Sequence, residues 1–404
     1  MYKWWLVGAL VLVCTCAMAD DWAWRETYRY LPPASARARS YLTLRYSAYA
    51  LSVLWTLGGL LLGLKLNLGR KVCDRLRYSP AWAQAILVWI TLATFLAVWS
   101  LPISAASLAI ERAYGFATET AGTWTADRVA EWAVSLLYAP VVLLALVLIR
   151  RSPRRWWLWL GILLIPVGLV MTVLYPVLVE PLFNKFQPLR DEGLRRDIAQ
   201  LASRAGVHNP QTLVVDASRR TRKTNAYVIG LGPTHRVVLW DTLLRTRRRD
   251  EILAVVAHEL GHYALNHIWW RFVLESLGGI VVIFLLAQAL SAGLARYMEH
   301  LGVCSLQDPA VIPAAYLILY LLLIAQTPIE AAISRRMERQ ADAYGLSLFP
   351  NPDATARALA RFAAENYTDP DPPKCVVYGF ASHPPLRERV RAALEHAGSP
   401  RPTR

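Results

Sequence analysis

The stretch from residue 252 to residue 267, "ILAVVAHELGHYALNH", holds three titratable side chains whose types and spacing suit metal chemistry. His258 and His262 are four positions apart, so a helix places both imidazoles on one face. Glu259 directly follows the first histidine. Two histidines at this spacing can bind one zinc ion, and the glutamate can accept a proton from a water at the open coordination position. Attack of that water on a carbonyl is the chemistry of peptide hydrolysis.

The residues around this pattern argue against a chance match. The segment "ILAVVA" before it is apolar, which predicts a helix that is otherwise built to be buried. Burying two histidines and a glutamate without partners destabilises a fold by several kcal/mol. A bound metal ion removes that penalty. We therefore interpret the pattern as a site for one Zn²⁺ per chain.

A catalytic zinc ion needs a third protein ligand and one open position. No third histidine follows at the spacing of the metzincin pattern, so we expect a carboxylate further along the chain. Glu338 fits best, because Asp342 lies one helical turn later and can orient a zinc-bound histidine. The position of Glu338 among arginines is also that of a solvated charge at a helix end. The candidates for the third ligand are Glu275, Glu299, Glu330 and Glu338.

The chain is too apolar for an ordinary soluble domain. Its 404 residues are 55% hydrophobic, and the mean hydropathy is +0.30. A run of about 20 apolar residues can cross the hydrocarbon core of a membrane as a helix. Tryptophan often lies at the ends of these runs, as at a membrane interface. Seven runs predict a multi-pass, predominantly α-helical membrane protein, and they begin near Trp4, Ser47, Ala81, Val129, Trp156, Ile268 and Ala310.

These runs divide the chain into membrane and polar parts. Residues 1–19 are either a cleaved secretory signal or a first transmembrane helix, since a lysine precedes the run and "AMA" ends it. Residues 20–179 then hold transmembrane helices two to five, and residues 268–334 hold helices six and seven. The polar blocks 180–267 and 335–404 are predicted to be two parts of one catalytic domain. The stretches "QTLVVDAS" and "HRVVLWDTLL" predict a small β-sheet in the first block.

The net charge of +15 does not indicate a nucleic-acid partner. The basic residues lie in short loops beside apolar runs, as at the cytoplasmic ends of bacterial membrane proteins. The loops "GRKVCDRLR" and "RRSPRR" are the richest in cations, so we expect them in the cytoplasm of a bacterial cell. Alternation of the helices then places the catalytic domain on the periplasmic face of the inner membrane. The five cysteines form no CxxC pair, so neither a zinc–thiolate site nor a disulfide framework is predicted.

Several further stretches accompany the HELGH pattern. Together with the seven apolar runs, they resemble the integral-membrane zinc CAAX prenyl endopeptidases of the a-factor-converting type. The resemblance covers most of the chain, and its motifs are far more specific than HELGH alone. The stretches are "SLAIERAYGF" at 107–116, "YPVLVEPLFNKFQPL" at 175–189, "KTNAYVIGLGPTHRVVLWDTLL" at 223–244, "SRRMERQADAYG" at 334–345 and "SHPPLRER" at 382–389.

This resemblance implies a fold and a set of metal ligands. The implied fold is a ring of seven long helices around a water-filled chamber inside the membrane. A gluzincin-like zinc metalloprotease domain with a small β-sheet caps the ring, and its zinc ion faces inward. The implied zinc ligands are His258, His262 and Glu338, with Glu259 as the general base and Asp342 supporting the ligands from behind.

The resemblance also implies residues that handle the substrate. Asn225 and Ala226 match an edge strand that pairs with the backbone of the substrate, which holds the scissile bond extended. His383 matches a residue that stabilises the tetrahedral oxyanion. Arg389 matches a family arginine near the active site. Taken from the residues alone, His383 and Arg389 fit equally a loop residue beside a proline turn and a charge on a helix surface.

Three functions are consistent with these patterns. The first is a membrane-embedded zinc metalloendopeptidase that cuts peptides or proteins, including lipid-modified ones, in contact with membrane lipids. The alternative is a quality-control protease of the heat-shock HtpX type, but such chains have about four membrane helices. A transporter with a chance HExxH pattern is the third. The chain looks bacterial, and prenylated CAAX proteins are not expected in bacteria, so the chemistry carries over better than the substrate. The sequence does not determine the oligomeric state.

Overall fold

The described part of the chain, in a computed structural model, comprises residues 22–398 except 208–209, 230–235, 295–302 and 304. The predicted signal segment or first transmembrane helix, residues 1–19, lies outside the described residues. Helices dominate the first half of the chain, as predicted. They are α1 (Trp22–Tyr30), α2 (Ala36–Lys65), α3 (Leu68–Arg75), α4 (Ala81–Ala113), α5 (Ala121–Leu136), α6 (Ala139–Arg151), α7 (Trp156–Leu174) and α8 (Glu180–Phe183).

The second half contains further helices and a small sheet. The helices are α9 (Glu192–Arg204), α10 (Asp241–Thr246), α11 (Arg249–Ala264), α12 (His267–Leu294), α13 (Ile312–Leu348), α14 (Pro352–Asn366), α15 (Lys374–Gly379) and α16 (Leu386–Gly398). The strands are β1 (Phe186–Pro188), β2 (Gln211–Val215), β3 (Ala226–Ile229) and β4 (Arg236–Trp240).

Six helical segments of the described chain are long and apolar enough to cross a membrane. Only 11–28% of the residues in their most apolar windows are buried inside the protein. An apolar surface of this size is stable in contact with lipid rather than water. The six runs predicted from Ser47 onward are thus confirmed. The segments are Ala36–Lys65, Ala81–Ala113, Ala121–Arg151, Trp156–Leu174, His267–Gly293 and Pro309–Leu348.

The sheet has the strand order β1-β2-β4-β3. β1 is antiparallel to β2, β2 is parallel to β4, and β3 is antiparallel to β4. The strands predicted from "QTLVVDAS" and "HRVVLWDTLL" are the two central ones. β3, which carries the "AYVI" of the "KTNAYVIGLGPTHRVVLWDTLL" stretch, forms an edge of the sheet. The apolar side chains of the sheet, α9 and α11 share one core, which includes Ile198, Val237, Leu239, Val256 and Leu260.

Helix α13 joins the membrane bundle to the polar domain without a break. Its 37 residues extend over about 55 Å at 1.5 Å per residue, whereas the hydrocarbon core is about 30 Å thick. The apolar N-terminal part therefore spans the membrane, and the C-terminal turns carry Glu338 and Asp342 beyond it. The "SRRMERQADAYG" stretch continues the seventh apolar run as one helix.

Both arginine-rich loops lie at the end of the bundle that is remote from the HELGH helix. Arg70 contacts Asp308 at 2.9 Å, and Arg150 donates to the Gln307 carbonyl at 3.3 Å. Residues 305–311 precede the N-terminus of α13, whereas the catalytic-type residues lie towards its C-terminus. The arginine-rich loops and the HELGH helix therefore lie at opposite ends of the membrane bundle, as the alternation of the helices predicts.

Two ion pairs connect the membrane helices to the segment that leads into β3. Lys223 Nζ lies 2.9 Å from Glu111 at the end of α4 and donates to the Tyr41 hydroxyl of α2 at 2.7 Å. Arg220 donates two hydrogen bonds of 2.7 Å to the Asp127 carboxylate of α5. Arg220 and Lys223 belong to the basic stretch "SRRTRK" at 218–223 and are thus paired inside the protein. These pairs connect the segment before the edge strand to the membrane bundle.

Candidate active site

Helix α11 positions the HELGH residues, and its N-terminus is firmly anchored. Seven consecutive residues from Glu251 to Ala257 are buried. The Glu251 side chain accepts a hydrogen bond from the Arg248 backbone N–H at 3.3 Å, which caps the helix. Two arginines of α14, Arg357 and Arg361, lie 3.4 and 3.3 Å from the same buried carboxylate. A rigid α11 fixes the direction in which the two histidines project.

Two glycines allow α11 and α13 to cross in backbone contact. A Cβ atom added at Gly345 would lie 2.9 Å from the backbone nitrogen of His258. One added at Gly261 would lie 2.9 Å from the carbonyl oxygen of Ala341. No side chain fits at either place without moving a backbone, so the close approach depends on glycine. This contact brings Glu338 of α13 within reach of the histidines of α11.

Gly345→Ala is expected to separate these helices and to weaken metal binding. Overpacking of this kind destabilises a protein by about 1–3 kcal/mol. Metal content and the thermal unfolding midpoint, measured together on the purified variant, should both fall. Gly279→Ala is the matched control, because a Cβ there meets open space. Equal metal content in the two variants would contradict the argument.

The side chains of His258, His262 and Glu338 form a compact metal-binding arrangement. One ligand atom from each residue lies within 4.8 Å of the others. His258 Nε2 is 3.3 Å from Glu338 Oε2, His262 Nε2 is 3.3 Å from Glu338 Oε1, and the two Nε2 atoms are 3.3 Å apart. Donors at about 2.0–2.1 Å from a tetrahedral ion are about 3.3 Å apart. The residues present therefore fit such an ion.

The Glu338 carboxylate gives a second sign that this arrangement is built for a cation. The side chain is 8% exposed, and its Oε2 atom makes no hydrogen bond within the described part of the chain. A buried carboxylate oxygen without a hydrogen-bond donor is destabilising unless a positive charge compensates it. The Arg389 guanidinium, whose Nη2 atom is 3.7 Å from Oε2, compensates part of the charge without a hydrogen bond, and a bound metal ion would contact the oxygen directly.

Asp342 supports His258 on its Nδ1 side, and Arg389 contacts both Asp342 and Glu338, with its Nη2 atom 3.7 Å from Glu338 Oε2. Asp342 Oδ1 is 2.8 Å from His258 Nδ1. Arg389 donates to both oxygens of the Asp342 carboxylate, at 2.7 and 2.8 Å. Burial alone lowers the pKa of Arg389, but the adjacent Asp342 carboxylate raises it overall, so the guanidinium remains charged. With its Nδ1–H held by Asp342, His258 presents Nε2 to the metal position.

Glu259 lies on the same turn of α11 as His258 and lines the cavity beside it. Burial raises the pKa of its carboxyl group, and the neighbouring histidines oppose that shift when they are charged. A carboxylate with a raised pKa is a better proton acceptor than an ordinary surface glutamate. Its position and its environment both suit proton transfer.

His383 lies beside the cluster of His258, His262 and Glu338, on a loop that Arg335 fixes. Its Nε2 atom is 3.4 Å from Glu338 Oε2, and its Nδ1 atom is 2.8 Å from the Ser382 hydroxyl. The buried Arg335 guanidinium donates to the carbonyl oxygens of Val377 and Ala381, at 2.5 and 2.8 Å. Arg335 was not among the residues expected from the sequence, although it lies one helical turn before Glu338 and faces the same side.

Six of the nine site residues expected from the sequence line one cavity of about 580 Å³, and the lining does not include Ala226, His262 or Glu338. Asn225, directly before the edge strand β3, forms one part of its wall, and the His383 loop forms another. Ala226 begins β3 and pairs with Leu239 of β4. The cavity is wide enough for a peptide of a few residues to lie between Asn225 and His258. The selected residues that line the cavity are Asn225, His258, Glu259, Asp342, His383 and Arg389.

Of the four carboxylates considered for the third ligand, the structure places Glu338 at the histidines. Glu275 pairs instead with Arg271 at 2.9 Å, and Glu330 accepts a hydrogen bond from Gln326 at 2.5 Å. As candidates for the third ligand, Glu275 and Glu330 were wrong, because both lie in the membrane helices away from the cluster. Glu299 lies outside the described residues.

Comparison with known proteins agrees with this geometry. Residues 34–185 match the N-terminal region of CAAX prenyl proteases, described as five membrane helices, and residues 188–397 match peptidase family M48. A Bacillus subtilis protein named uncharacterized metalloprotease YhfN is 33% identical over 74% of this chain and 71% of its own length. CAAX prenyl protease 1 of Saccharomyces cerevisiae is 31% identical over 77% of this chain and 72% of its own.

A solved structure shows the same fold. The crystal structure of S. mikatae Ste24p matches with a TM-score of 0.77 at 28% identity, over 92% of this chain and 95% of that one. The fold and the site thus define a membrane-embedded metalloprotease. This chain belongs to peptidase family M48, with the membrane region of the CAAX prenyl protease type. A transporter with a chance HExxH pattern is therefore the wrong interpretation, and the match of the N-terminal membrane region favours the CAAX type over the HtpX type.

Proposed function

We propose that this protein is a zinc-dependent endopeptidase in which His258, His262 and Glu338 hold one zinc ion. The observation that carries the proposal is the 3.3 Å spacing of their ligand atoms, which suits tetrahedral zinc, together with the unbonded Glu338 oxygen. Zinc bound there supplies Lewis acidity, which acidifies a water molecule and polarises a carbonyl group. The geometry and the family together favour zinc over harder cations, because two of the three ligands are imidazoles.

Other residues of the cavity handle the protons and the developing charge. Glu259 accepts the proton of the attacking water and returns it to the leaving amine. The Ser382 hydroxyl can donate to His383 Nδ1, which leaves the proton of His383 on Nε2, facing the cavity. That N–H can then donate to the tetrahedral oxyanion. Asp342 holds the His258 ring in its metal-binding orientation, and Arg389 holds Asp342.

The edge strand provides the binding site for the peptide backbone. Asn225 lines the cavity, and Ala226 starts the edge strand of the sheet. An extended peptide that adds to this edge is held mainly through backbone hydrogen bonds, with little selection of side chains. The scissile carbonyl is thereby presented to the metal ligands in a fixed register.

The substrate class follows from the relatives and from the membrane setting. Relatives of this chain are named CAAX prenyl proteases, and the site lies where the long helix α13 leaves the membrane. We propose that the substrates are peptides or proteins with a lipid-modified segment that resides in the surrounding lipid. A chamber enclosed by the membrane helices would give such a segment access to the site.

The proposal is tested with purified protein and a matched pair of CAAX peptides, one farnesylated and one unmodified. We expect the protein to carry about one zinc ion, to cut the farnesylated peptide, and to lose activity with a zinc chelator until zinc is restored. Equal cleavage of both peptides would overturn the lipid preference and leave the protease assignment intact. A protein that holds no zinc would overturn the metal assignment.

The same proposal covers the organisation of the chain in the membrane. Residues 180–267 and 335–404 act as the two parts of one catalytic domain, because α11 of the first part packs on α13 and α14 of the second. Residues 20–179 and 268–334 then form the membrane part. The positive-inside rule places the arginine-rich loops in the cytoplasm, so the catalytic domain faces the periplasm of the inner membrane.

Cys375 allows a direct test of this orientation. It lies on α15 in the C-terminal part and is exposed, whereas Cys73 at the opposite end of the bundle is buried. A membrane-impermeant maleimide should label the intact inner membrane of spheroplasts at Cys375. Cys375→Ser is the control that should remove the label. Labelling that requires lysis would show that the catalytic domain faces the cytoplasm instead.

A further inference from the structure

A third histidine lies directly behind the metal ligand His262. His267 is the first residue of α12 and is 4% exposed. It follows Asn266, whose φ of 54° is in the left-handed region and turns the chain between α11 and α12. This turn folds the His267 ring back onto α11, where its Nδ1 atom is 3.0 Å from His262 Nδ1.

The proton positions along this contact are constrained by chemistry. His262 Nε2 faces Glu338 and His258, so Nε2 is the atom whose lone pair would bind a metal ion held there. The proton of a neutral His262 must then be on Nδ1. A hydrogen bond of 3.0 Å between the two Nδ1 atoms requires His267 Nδ1 to be the acceptor.

The other nitrogen of His267 completes a series of hydrogen bonds that all run in one direction. With Nδ1 as acceptor, neutral His267 carries its proton on Nε2, which lies 3.2 Å from Gln340 Oε1 of α13. The amide oxygen of Gln340 is an acceptor only, so it stabilises this tautomer of His267. The hydrogen bonds therefore run from His262 to His267 to Gln340. Each of the two N–H donors in this series, on His262 and on His267, has one acceptor.

We propose that His267 is a positioning residue that holds His262 in its metal-binding tautomer, as Asp342 does for His258. This inference rests on the proposed zinc site. The two ligand histidines would then be supported differently, one by a charged carboxylate and one by a neutral imidazole backed by an amide. Unlike a carboxylate, a neutral His267 adds no further negative charge beside the buried Glu338.

The test compares two replacements of His267 by zinc affinity, measured in competition with a chromophoric chelator. Removal of a group that supports a ligand typically lowers metal affinity by about 10–100-fold. We expect His267→Leu, which has no acceptor, to show such a loss. The Oδ1 atom of an asparagine occupies about the position of the histidine Nδ1, so His267→Asn should retain most of the affinity. Equal losses in the two variants would show that ring packing matters and that the acceptor does not.

Gln340 supplies a second pair of variants at an exposed position, which should fold even if His267→Leu does not. Gln340→Glu keeps an acceptor opposite His267 Nε2 and should leave zinc affinity close to that of the parent. Gln340→Lys places a donor there, favours the opposite tautomer of His267, and should weaken zinc binding. Identical affinities for these two variants would overturn the proposed proton chain. If the parent itself binds no zinc, the proposed function fails first, and the two failures are therefore distinguishable.

Discussion

Glu259→Gln is expected to abolish peptide cleavage while the protein keeps its zinc ion. Glutamine has nearly the same shape as glutamate but cannot accept a proton from the attacking water. General-base catalysis typically contributes about 10²–10⁴-fold in rate, so kcat should fall by at least that range. Glu259 is not among the three residues whose ligand atoms cluster, so the metal content should stay near one per chain. Cleavage of a CAAX peptide and zinc content, measured on the same preparation, check both statements.

Glu275→Gln is the matched control for this experiment. Glu275 was a candidate ligand from the sequence, but it is half-exposed and paired with Arg271. Its replacement should change neither zinc content nor cleavage. A Glu259→Gln variant that cuts at the rate of the parent would assign the proton transfer to another group. A variant without zinc would instead make Glu259 part of the metal-binding arrangement.

Glu338→Gln is expected to remove the zinc ion and, with it, all activity. The variant loses a charged ligand at a buried position, so zinc affinity should fall by more than the 10–100-fold that is typical of a supporting residue, roughly 10²-fold or more. A ligand that binds only the folded state, at a concentration of about 100 times its Kd, stabilises that state by about 2.7 kcal/mol. Added zinc should therefore raise the unfolding midpoint of the parent and leave that of the variant unchanged.

Glu330→Gln provides a comparison on the same helix. Glu330 lies about two turns before Glu338 in α13 and accepts a hydrogen bond from Gln326. Its replacement should retain zinc binding and the response of the unfolding midpoint to zinc. Should Glu338→Gln bind zinc as tightly as Glu330→Gln, the third ligand must come from elsewhere in the chain.

Much of the architecture could be predicted from local sequence patterns. The six described membrane segments were predicted because a span needs about 20 apolar residues in succession, which is a property of a continuous stretch. The two central strands, β2 and β4, were also predicted from continuous stretches of the chain. The histidine pair of HELGH was predicted because the positions i and i+4 of a helix share a face whatever the helix packs against.

The remaining features depend on contacts between distant parts of the chain. Four carboxylates were candidates for the third ligand, and the sequence favoured Glu338 without excluding the other three. The choice of Glu338 depends on the crossing of α11 and α13, which Gly261 and Gly345 permit. The role of Arg335 in fixing the His383 loop was unpredictable for a similar reason, since its hydrogen bonds join residues more than 40 positions apart.

The position of His267 likewise could not be predicted from local periodicity, although it lies only a few residues from the HELGH pattern. It lies at the end of the segment 252–267, five residues after His262, and a continuous helix would have directed it away from that histidine. The left-handed backbone of Asn266 interrupts the helix and returns the ring to His262, while Gln340 reaches it from 73 residues away. Local periodicity thus accounts for the membrane spans and the metal-binding pair. The completion of the site required tertiary packing, because hydrogen bonds and ligand distances depend on where separate helices cross.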